Sequence, residues 1–311
     1  MVSMRILVTG GAGFIGSHTV SALLDKGHQV RVLDDLSSGY LHNLKGLEQE
    51  FVRGSITDRP VLAEAMQGMQ GVIHLAALVS APESLQRAAD YVRVNALGTA
   101  MVLEEAAAAG VECMVLASSA AVYGNEPGLP KSERMLPVPE TPYASSKLEG
   151  EHLFRMMGAA NGIRTMCFRF FNVYGPRQDP GSPYSSVISK FSDAAARGDE
   201  FVIYGDGSQT RDFVFVGDLA AILAETMESD CSGLCNLATG HSVTVLELAQ
   251  TIREIKGAAR EIVFRDFRAG DVKYSSADVS ILNSLGFSAA TSLRHGLSIT
   301  LPEFATGKDS L

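Results

Sequence analysis

The stretch RILVTGGAGFIGSH, residues 5–18, decides the fold. A nearly all-apolar, β-branched run ends at Thr9. Gly10, Gly11, Gly13 and Gly16 then fall within seven positions, and apolar residues resume at once. The run reads as a strand buried on both faces, the kind that parallel sheets contain. SHTVSALLDKGH follows with helical spacing, with Val20, Leu23 and Leu24 on one face and Gly27 as the stop. Between strand and helix the chain gives up its side chains, so something must approach its backbone closely.

Two glycine registers overlap there, Gly11-x-Gly13-x-x-Gly16 and Gly10-x-x-Gly13-x-x-Gly16. In either one, a tight turn aims the helix N-terminus at a pyrophosphate, and the missing side chains let phosphates touch the backbone. A glycine-rich turn without a ligand is the alternative, but the strand–turn–helix setting is the one that favours a dinucleotide.

Further along, QVRVLDD, GVIHLAA, CMVLASS and RTMCFRFFNVYG read as strands. VLAEAMQG, YVRVNALGTAMVLEEAAAAG and YASSKLEGEHLFRMMGAANG read as helices between them. This alternation predicts a Rossmann-type, doubly wound parallel α/β sheet over residues 1–175. Pro176, Pro180 and Pro183 then mark a loop, and short β segments mix with helices. Residues 176–311 are expected to form mainly a smaller, mixed α/β substrate lobe, with a segment near 212–240 returning to the first domain.

Composition narrows the function. The net charge of -9 argues against a general nucleic-acid binder. No apolar stretch reaches the roughly 18 residues needed to span a bilayer, and no basic segment precedes an apolar core at the N-terminus, so neither membrane insertion nor a signal peptide is expected. Cys113, Cys167, Cys231 and Cys235 are too few and scattered for a disulfide framework. No partners stand at zinc spacing around Cys231 and Cys235, so no metal is expected. A reducing, cytoplasmic compartment fits.

Asp34 ends the second strand, 18 residues beyond Gly16. A carboxylate there accepts hydrogen bonds from the adenosine ribose hydroxyls and repels a 2′-phosphate, which favours NAD over NADP. Asp35 is adjacent and reads as its solvated neighbour. TPYASSK places Tyr143 and Lys147 four residues apart on one helix face. Alone, such a pair is usually structural. VLASSAAVYG, however, ends a buried strand at Ser118 and Ser119, and ligands of open parallel sheets bind outside the carboxyl ends of the strands. An ammonium and a positive nicotinamide ring both favour the phenolate, which makes Tyr143 a general base for an alcohol being oxidised, with Ser119 holding the same oxygen.

Together with the glycine loop, the segments DDLSSG, HLAA, NALGT, SSAAVYG, YASSK, RFFNVYGPR and RDFVFVGDLA resemble the extended short-chain dehydrogenase/reductase family of sugar-nucleotide enzymes, the NAD-dependent epimerases and dehydratases. Within it the similarity is greatest to the UDP-hexose 4-epimerases. The resemblance implies Tyr143, Lys147 and Ser119 as the catalytic set. It implies NAD contacts at Gly10, Gly13, Phe14, Ile15, Gly16, Asp34, Asp35, Ser38, Gly39, Leu75, Ala76, Ala77, Asn95, Ser118, Tyr143, Lys147, Phe170 and Val173. In RGSITD, Ser55 stands where relatives usually carry an Asp for the adenine, so that contact passes to Ser55 and Ile56, with Asp58 three residues on. Phe170 replaces a tyrosine and carries no hydroxyl role. The UDP-sugar is implied to lie against Ser119, Tyr143, Asn172, Val187, Arg211, Arg268, Asp271 and Ser275. Two arginines suit a diphosphate in an acidic protein, although Arg211 and Arg268 could also be surface ion pairs. A homodimer through helices 84–109 and 143–160 is the family expectation.

Relatives that dehydrate or decarboxylate generally carry a carboxylate just after the catalytic serine, where this chain has Ala120 and Ala121. The resemblance therefore implies 4-epimerisation of UDP-glucose and UDP-galactose: oxidation at sugar carbon 4, turning of the 4-keto sugar, and reduction from its other face. The alternatives are a nucleotide-sugar 4,6-dehydratase or 4-keto reductase and, in another class, a non-catalytic NAD sensor. Alignment of RAGD places Ser275 beside the sugar's 2-substituent, where a small residue leaves room for an N-acetyl group. A slip by one residue would put Tyr274 there instead, and Ser275 could equally be a plain loop residue.

Overall fold

The computed structural model describes residues 3–179, 187–257, 261–267 and 273–306. The strands are β1 (Arg5–Thr9), β2 (Gln29–Asp34), β3 (Glu50–Arg53), β4 (Gly71–His74), β5 (Cys113–Ser119), β6 (Arg164–Phe170), β7 (Asn172–Tyr174), β8 (Phe201–Tyr204), β9 (Thr210–Phe215), β10 (Gly233–Leu237), β11 (Ser242–Thr244) and β12 (Ile262–Arg265). The helices are α1 (Phe14–Asp25), α2 (Arg59–Met66), α3 (Ala81–Ser84), α4 (Ala88–Tyr91), α5 (Gly98–Ala108), α6 (Pro142–Asn161), α7 (Val187–Arg197), α8 (Val216–Glu228), α9 (Val245–Lys256), α10 (Ser280–Ser284) and α11 (Leu293–Thr306).

Seven strands form one sheet in the order β10-β6-β5-β4-β1-β2-β3, and every neighbouring pair is parallel. Side chains alternate across it. Ile6 and Val8 enter a core with Val20, Leu219 and Leu223 from α1 and α8, whereas Leu7 enters another with Leu62, Val102 and Phe154 from α2, α5 and α6. Ile6, Leu7 and Val8 have no exposed surface, and each such side chain contributes on the order of 1.5–3 kcal/mol by burial. Strand order reverses between β1 and β4, so a crevice opens at their carboxyl ends. The later chain adds a three-stranded sheet, β11-β9-β7, and the pair β12-β8, with their own core around Phe191, Phe201, Leu248 and Leu297.

Three elements differ from the sequence expectation. Strand β3 was not expected: it has four residues, its ends are exposed, and Glu50 and Arg53 give it no apolar signature. The long helix expected from Tyr91 to Gly110 is interrupted by a π-helical turn over Val92–Leu97, which leaves Asn95 buried. Gly98 follows the turn because Ile56 packs against it, and a Cβ there would stand 2.6 Å from the Ile56 Cδ1. The strand read as continuous through RTMCFRFFNVYG breaks at Phe171. β6 stays in the large sheet, while β7 leaves it to pair with β9.

Candidate active site

The glycine loop is shaped by contact with its neighbours. Gly10 has φ +72°, and a Cβ on it would stand 2.8 Å from the Ala76 nitrogen, so β1 and the turn after β4 touch here. A Cβ on Gly16 would stand 2.1 Å from the Gly10 oxygen, so only glycine lets the helix start this close to the turn. Gly13 is the N-cap of α1 and offers no side chain to the first turn, which contains Phe14, Ile15 and Gly16. The helix N-terminus is therefore available to an anion.

Asp34 is buried at the end of β2. Its carboxylate accepts the Ala12 N–H at 2.9 Å and the Leu36 N–H at 2.8 Å, so it braces the glycine loop as well as facing the crevice. Burial pushes its pKa up, and the two N–H groups pull it back. Asp35 is exposed and accepts the Ser37 N–H at 2.9 Å. Ser38 is exposed, and Gly39 packs on Ala12, where a Cβ would meet the Ala12 carbonyl carbon at 2.9 Å. Leu75, Ala76 and Ala77 follow β4 and are half-buried. The Ser55 and Thr57 hydroxyls bond each other at 2.9 Å, and Ile56 is spent on the core against Gly98. This cradle, closed to any Cβ at Gly10 and Gly16 and ending in a carboxylate at Asp34, fits the pyrophosphate and ribose of NAD.

Helix α6 carries the reacting side chains. Thr141 caps it by accepting the Ala144 N–H at 3.2 Å, Pro142 occupies the first turn, and Gly162 with φ +67° ends it. Tyr143 thus sits in the first turn, and Lys147 lies one turn further along the same face. The Lys147 ammonium donates to the Ala117 carbonyl at 2.9 Å and stands 6.0 Å from the centroid of the Tyr143 ring. Burial brings its pKa down to about 8. Ser119, the last residue of β5, accepts the Ala121 N–H at 3.1 Å, which leaves its hydroxyl proton to donate. Burial raises the Tyr143 pKa, and the hydrogen bond with Ser119 lowers it. Within the chain itself burial is the larger effect, whereas the sequence reading emphasised the charges that favour phenolate.

Successive residues of β5 face opposite ways. Ser118 turns from the crevice and donates to Glu151 at 2.5 Å. Glu151, one turn beyond Lys147, pairs with Arg169 at 2.7 Å, and both are buried. The Arg169 guanidinium also lies over the Tyr123 ring, 4.6 Å from its centroid. Burial alone would lower the Arg169 pKa, but Glu151 more than offsets this and holds it up. Neither Glu151 nor Arg169 was selected from sequence. The signals for them are the four-residue step Tyr143–Lys147–Glu151 on one helix and the lone Arg169 inside the apolar run MCFRFF.

Phe170 is buried, and Val173 lies beside Val214 in the β7–β9 pair. Asn172 donates to the Asp212 carbonyl at 3.0 Å, Arg211 donates to the Thr210 carbonyl at 2.9 Å, and Val187 opens α7 half-buried. Ser275 donates its N–H to the Thr210 carbonyl at 3.1 Å and accepts from the Ser242 hydroxyl at 2.9 Å. Tyr274 is 46% exposed, with the Lys273 ammonium 5.4 Å from its ring centroid. Arg268 and Asp271 lie outside the described residues.

Comparison with known proteins agrees with this geometry. The model of the NAD-dependent epimerase/dehydratase family matches residues 6–238. A UDP-glucose 4-epimerase of Mycolicibacterium smegmatis is 38% identical over 309 residues, covering 97% of this chain and 98% of its own. The structure is similar to that of a UDP-N-acetylglucosamine 4-epimerase from Methanobrevibacter ruminantium in complex with UDP-N-acetylmuramic acid, with TM-score 0.95, 35% identity and coverage of 99% and 100%. It is also similar to a Thermus thermophilus UDP-glucose 4-epimerase in complex with NAD, with TM-score 0.89, 35% identity and coverage of 97% and 99%. The cradle, the Tyr143–Lys147 helix and these matches along nearly the whole chain place it in the NAD-dependent epimerase/dehydratase family.

Proposed function

We propose that the protein interconverts UDP-hexoses epimeric at carbon 4, with Tyr143, Lys147 and Ser119 at the reacting centre. The observation that carries this is the convergence of a serine at the end of β5 with a half-buried tyrosine and a buried lysine on α6, beside a dinucleotide cradle. Tyr143 takes the proton of the sugar's 4-hydroxyl and returns it after the 4-keto sugar has turned over. Ser119 donates a hydrogen bond to the same oxygen, and the Lys147 ammonium stabilises the phenolate. NAD, when bound, would supply the acceptor for the hydride of carbon 4 and give it back to the turned 4-keto sugar, and its positive ring would add to the charge that favours the phenolate. Ala120 and Ala121 offer no carboxylate for a second proton transfer, which favours epimerisation over dehydration.

Asn172, Arg211 and Arg268 are read as the diphosphate anchor, and NAD is preferred over NADP through Asp34. Ser275 is read as the residue beside the sugar's 2-substituent. Ser275 is half-buried whereas Tyr274 is exposed, which supports Ser275 as the inward residue, so that N-acetylated sugars fit. A cytoplasmic homodimer is part of the same reading. Leu85, Val92, Leu97 and Met156 expose apolar surface on or beside α3–α6 and would be covered by a second copy. Among the described residues, no helix is long and apolar enough to cross a membrane. Incubation with UDP-glucose, UDP-galactose and their N-acetyl forms, followed by sugar analysis, tests the assignment. Interconversion at carbon 4 is expected, and accumulation of a 4-keto-6-deoxy sugar would replace it with the dehydratase reading.

A further inference from the structure

His74 ends β4 in the middle of the sheet and is buried, with its ring parallel to that of Phe154 at an interplanar angle of 7°. It is almost fully buried and belongs to none of the groups assigned above. Its two ring nitrogens nevertheless bond two buried hydroxyls, Nδ1 to Thr9 Oγ1 at 2.7 Å and Nε2 to Thr99 Oγ1 at 2.9 Å.

For a neutral ring the partners fix the direction of each bond. Thr99 donates its proton to the Asn95 carbonyl at 2.5 Å, so it must accept from His74, which places the imidazole proton on Nε2. Nδ1 is then an acceptor, and Thr9 donates to it. The Thr9 oxygen accepts the Ala76 N–H at 3.3 Å. Beyond Thr99 the chain of bonds continues through Asn95. Its side-chain oxygen accepts the Leu78 N–H at 2.8 Å, and its amide donates to the Leu78 carbonyl at 2.9 Å and to the Ser146 hydroxyl at 3.0 Å. Ser146 donates in turn to the carbonyl of Tyr143 at 2.7 Å. Each hydroxyl in this series both accepts and donates, so the orientation at one end depends on that at the other.

We infer that His74, as the neutral Nε2–H tautomer, is a positioning residue: through Thr9 and Thr99 it locks the 75–78 turn beside the glycine loop to the first turn of the helix that carries Tyr143. The π-helical turn has a reason in this arrangement. It accompanies an Asn95 whose amide reaches Leu78 and Ser146 at once, while Thr99 keeps the ordinary helical bond to the carbonyl four residues back. Removing the Thr99 hydroxyl leaves His74 Nε2–H without an acceptor and frees the Asn95 turn, and Tyr143 loses its register with the cofactor side.

The inference rests on Tyr143 as the acid/base, so the test runs Tyr143→Phe in parallel. Thr99→Val is nearly isosteric and removes only the hydroxyl, and Thr99→Ser restores it. Thr99→Val is expected to lower kcat by about 10–100-fold, the scale of a small misplacement of reacting groups. KM for the UDP-hexose and the bound NAD per chain should stay unchanged, and Thr99→Ser should recover the rate. Normal kcat in folded Thr99→Val, with Tyr143→Phe inactive, overturns this inference alone. Normal kcat in Tyr143→Phe overturns the catalytic assignment instead. Independently of activity, the ¹⁵N shifts of His74 in the unmutated protein should report a protonated Nε2 and a bare Nδ1 at neutral pH. The opposite tautomer, or an imidazolium, contradicts the inference even if Thr99→Val fails to fold.

Discussion

Around Gly16 there is no room for a methyl group, since a Cβ there would stand 2.1 Å from the Gly10 oxygen. Around Ser275 the backbone is tied to Thr210 and Ser242, yet the neighbouring Tyr274 remains 46% exposed. The cofactor side of the crevice is defined by backbone contact and by buried polar groups with fixed partners. The sugar side proposed above would be assembled from segments far apart in the chain, with Tyr274 near solvent. The first arrangement suits a cofactor that stays in place through each cycle. The second suits a sugar that must turn over while its diphosphate is held.

If that contrast is real, damage on the cofactor side should cost stability, and damage on the sugar side should cost selectivity. The largest loss is expected behind α6. Arg169→Met leaves the Glu151 carboxylate buried without its guanidinium, and breaking such a pair costs about 3–5 kcal/mol. Chemical denaturation measures this. A loss below about 1 kcal/mol, the range of exposed pairs, would show that the pair is not buried as described.

Gly16→Ala comes next. It should cost about 1–3 kcal/mol through the clash with Gly10 and release NAD from the purified protein. The same substitution at Gly27 meets nothing within 4 Å and suffers only from its φ of +81°, so bound NAD should survive there. Loss of NAD from both variants would remove the distinction.

A further effect, small near neutral pH, is read through pH. Burial, with the Lys147 charge as a lesser cause, brings the His74 pKa from 6.5 down to about 3. The folded chain therefore refuses a proton that the unfolded chain accepts. His74 costs nothing above pH 6.5, and stability falls as the pH drops from 6.5 toward 3, by up to about 1.4 kcal/mol per pH unit. His74→Phe should make this acid limb shallower, and an unchanged slope would mean that the ring is not buried as a neutral group.

On the sugar side, Ser275→Tyr should leave stability and turnover of UDP-glucose nearly unchanged while abolishing activity on UDP-N-acetylglucosamine. Equal loss on both sugars would place Ser275 in the scaffold rather than beside the 2-substituent.

What the sequence disclosed follows the same division. The glycine loop was legible because backbone crowding admits only one residue type, and Tyr143 and Lys147 because their spacing is local. The His74 network was not. Thr9 looks like the ordinary end of an apolar run, His74 and Thr99 lie inside two others, and only parallel pairing of β1 with β4 brings the first two together. The π-helical turn was hidden because Asn95 sits in an otherwise helical pattern. The departure of β7 from the large sheet was hidden because Phe170, Phe171, Val173 and Tyr174 carry the apolar run across the break. Ser118 and Ser119 are indistinguishable as letters, and the pleat alone sends one to Glu151 and the other to Tyr143.

The central claim is that a single phenolic oxygen at Tyr143 moves the proton of the sugar's 4-hydroxyl. The direct measurement is turnover of UDP-glucose by Tyr143→Phe, with the melting temperature and bound NAD confirmed as those of the unmutated protein. The account predicts a fall of about 10²–10⁴-fold, the usual scale for a positioned acid/base group. A near-normal rate in that folded, NAD-loaded variant would contradict it.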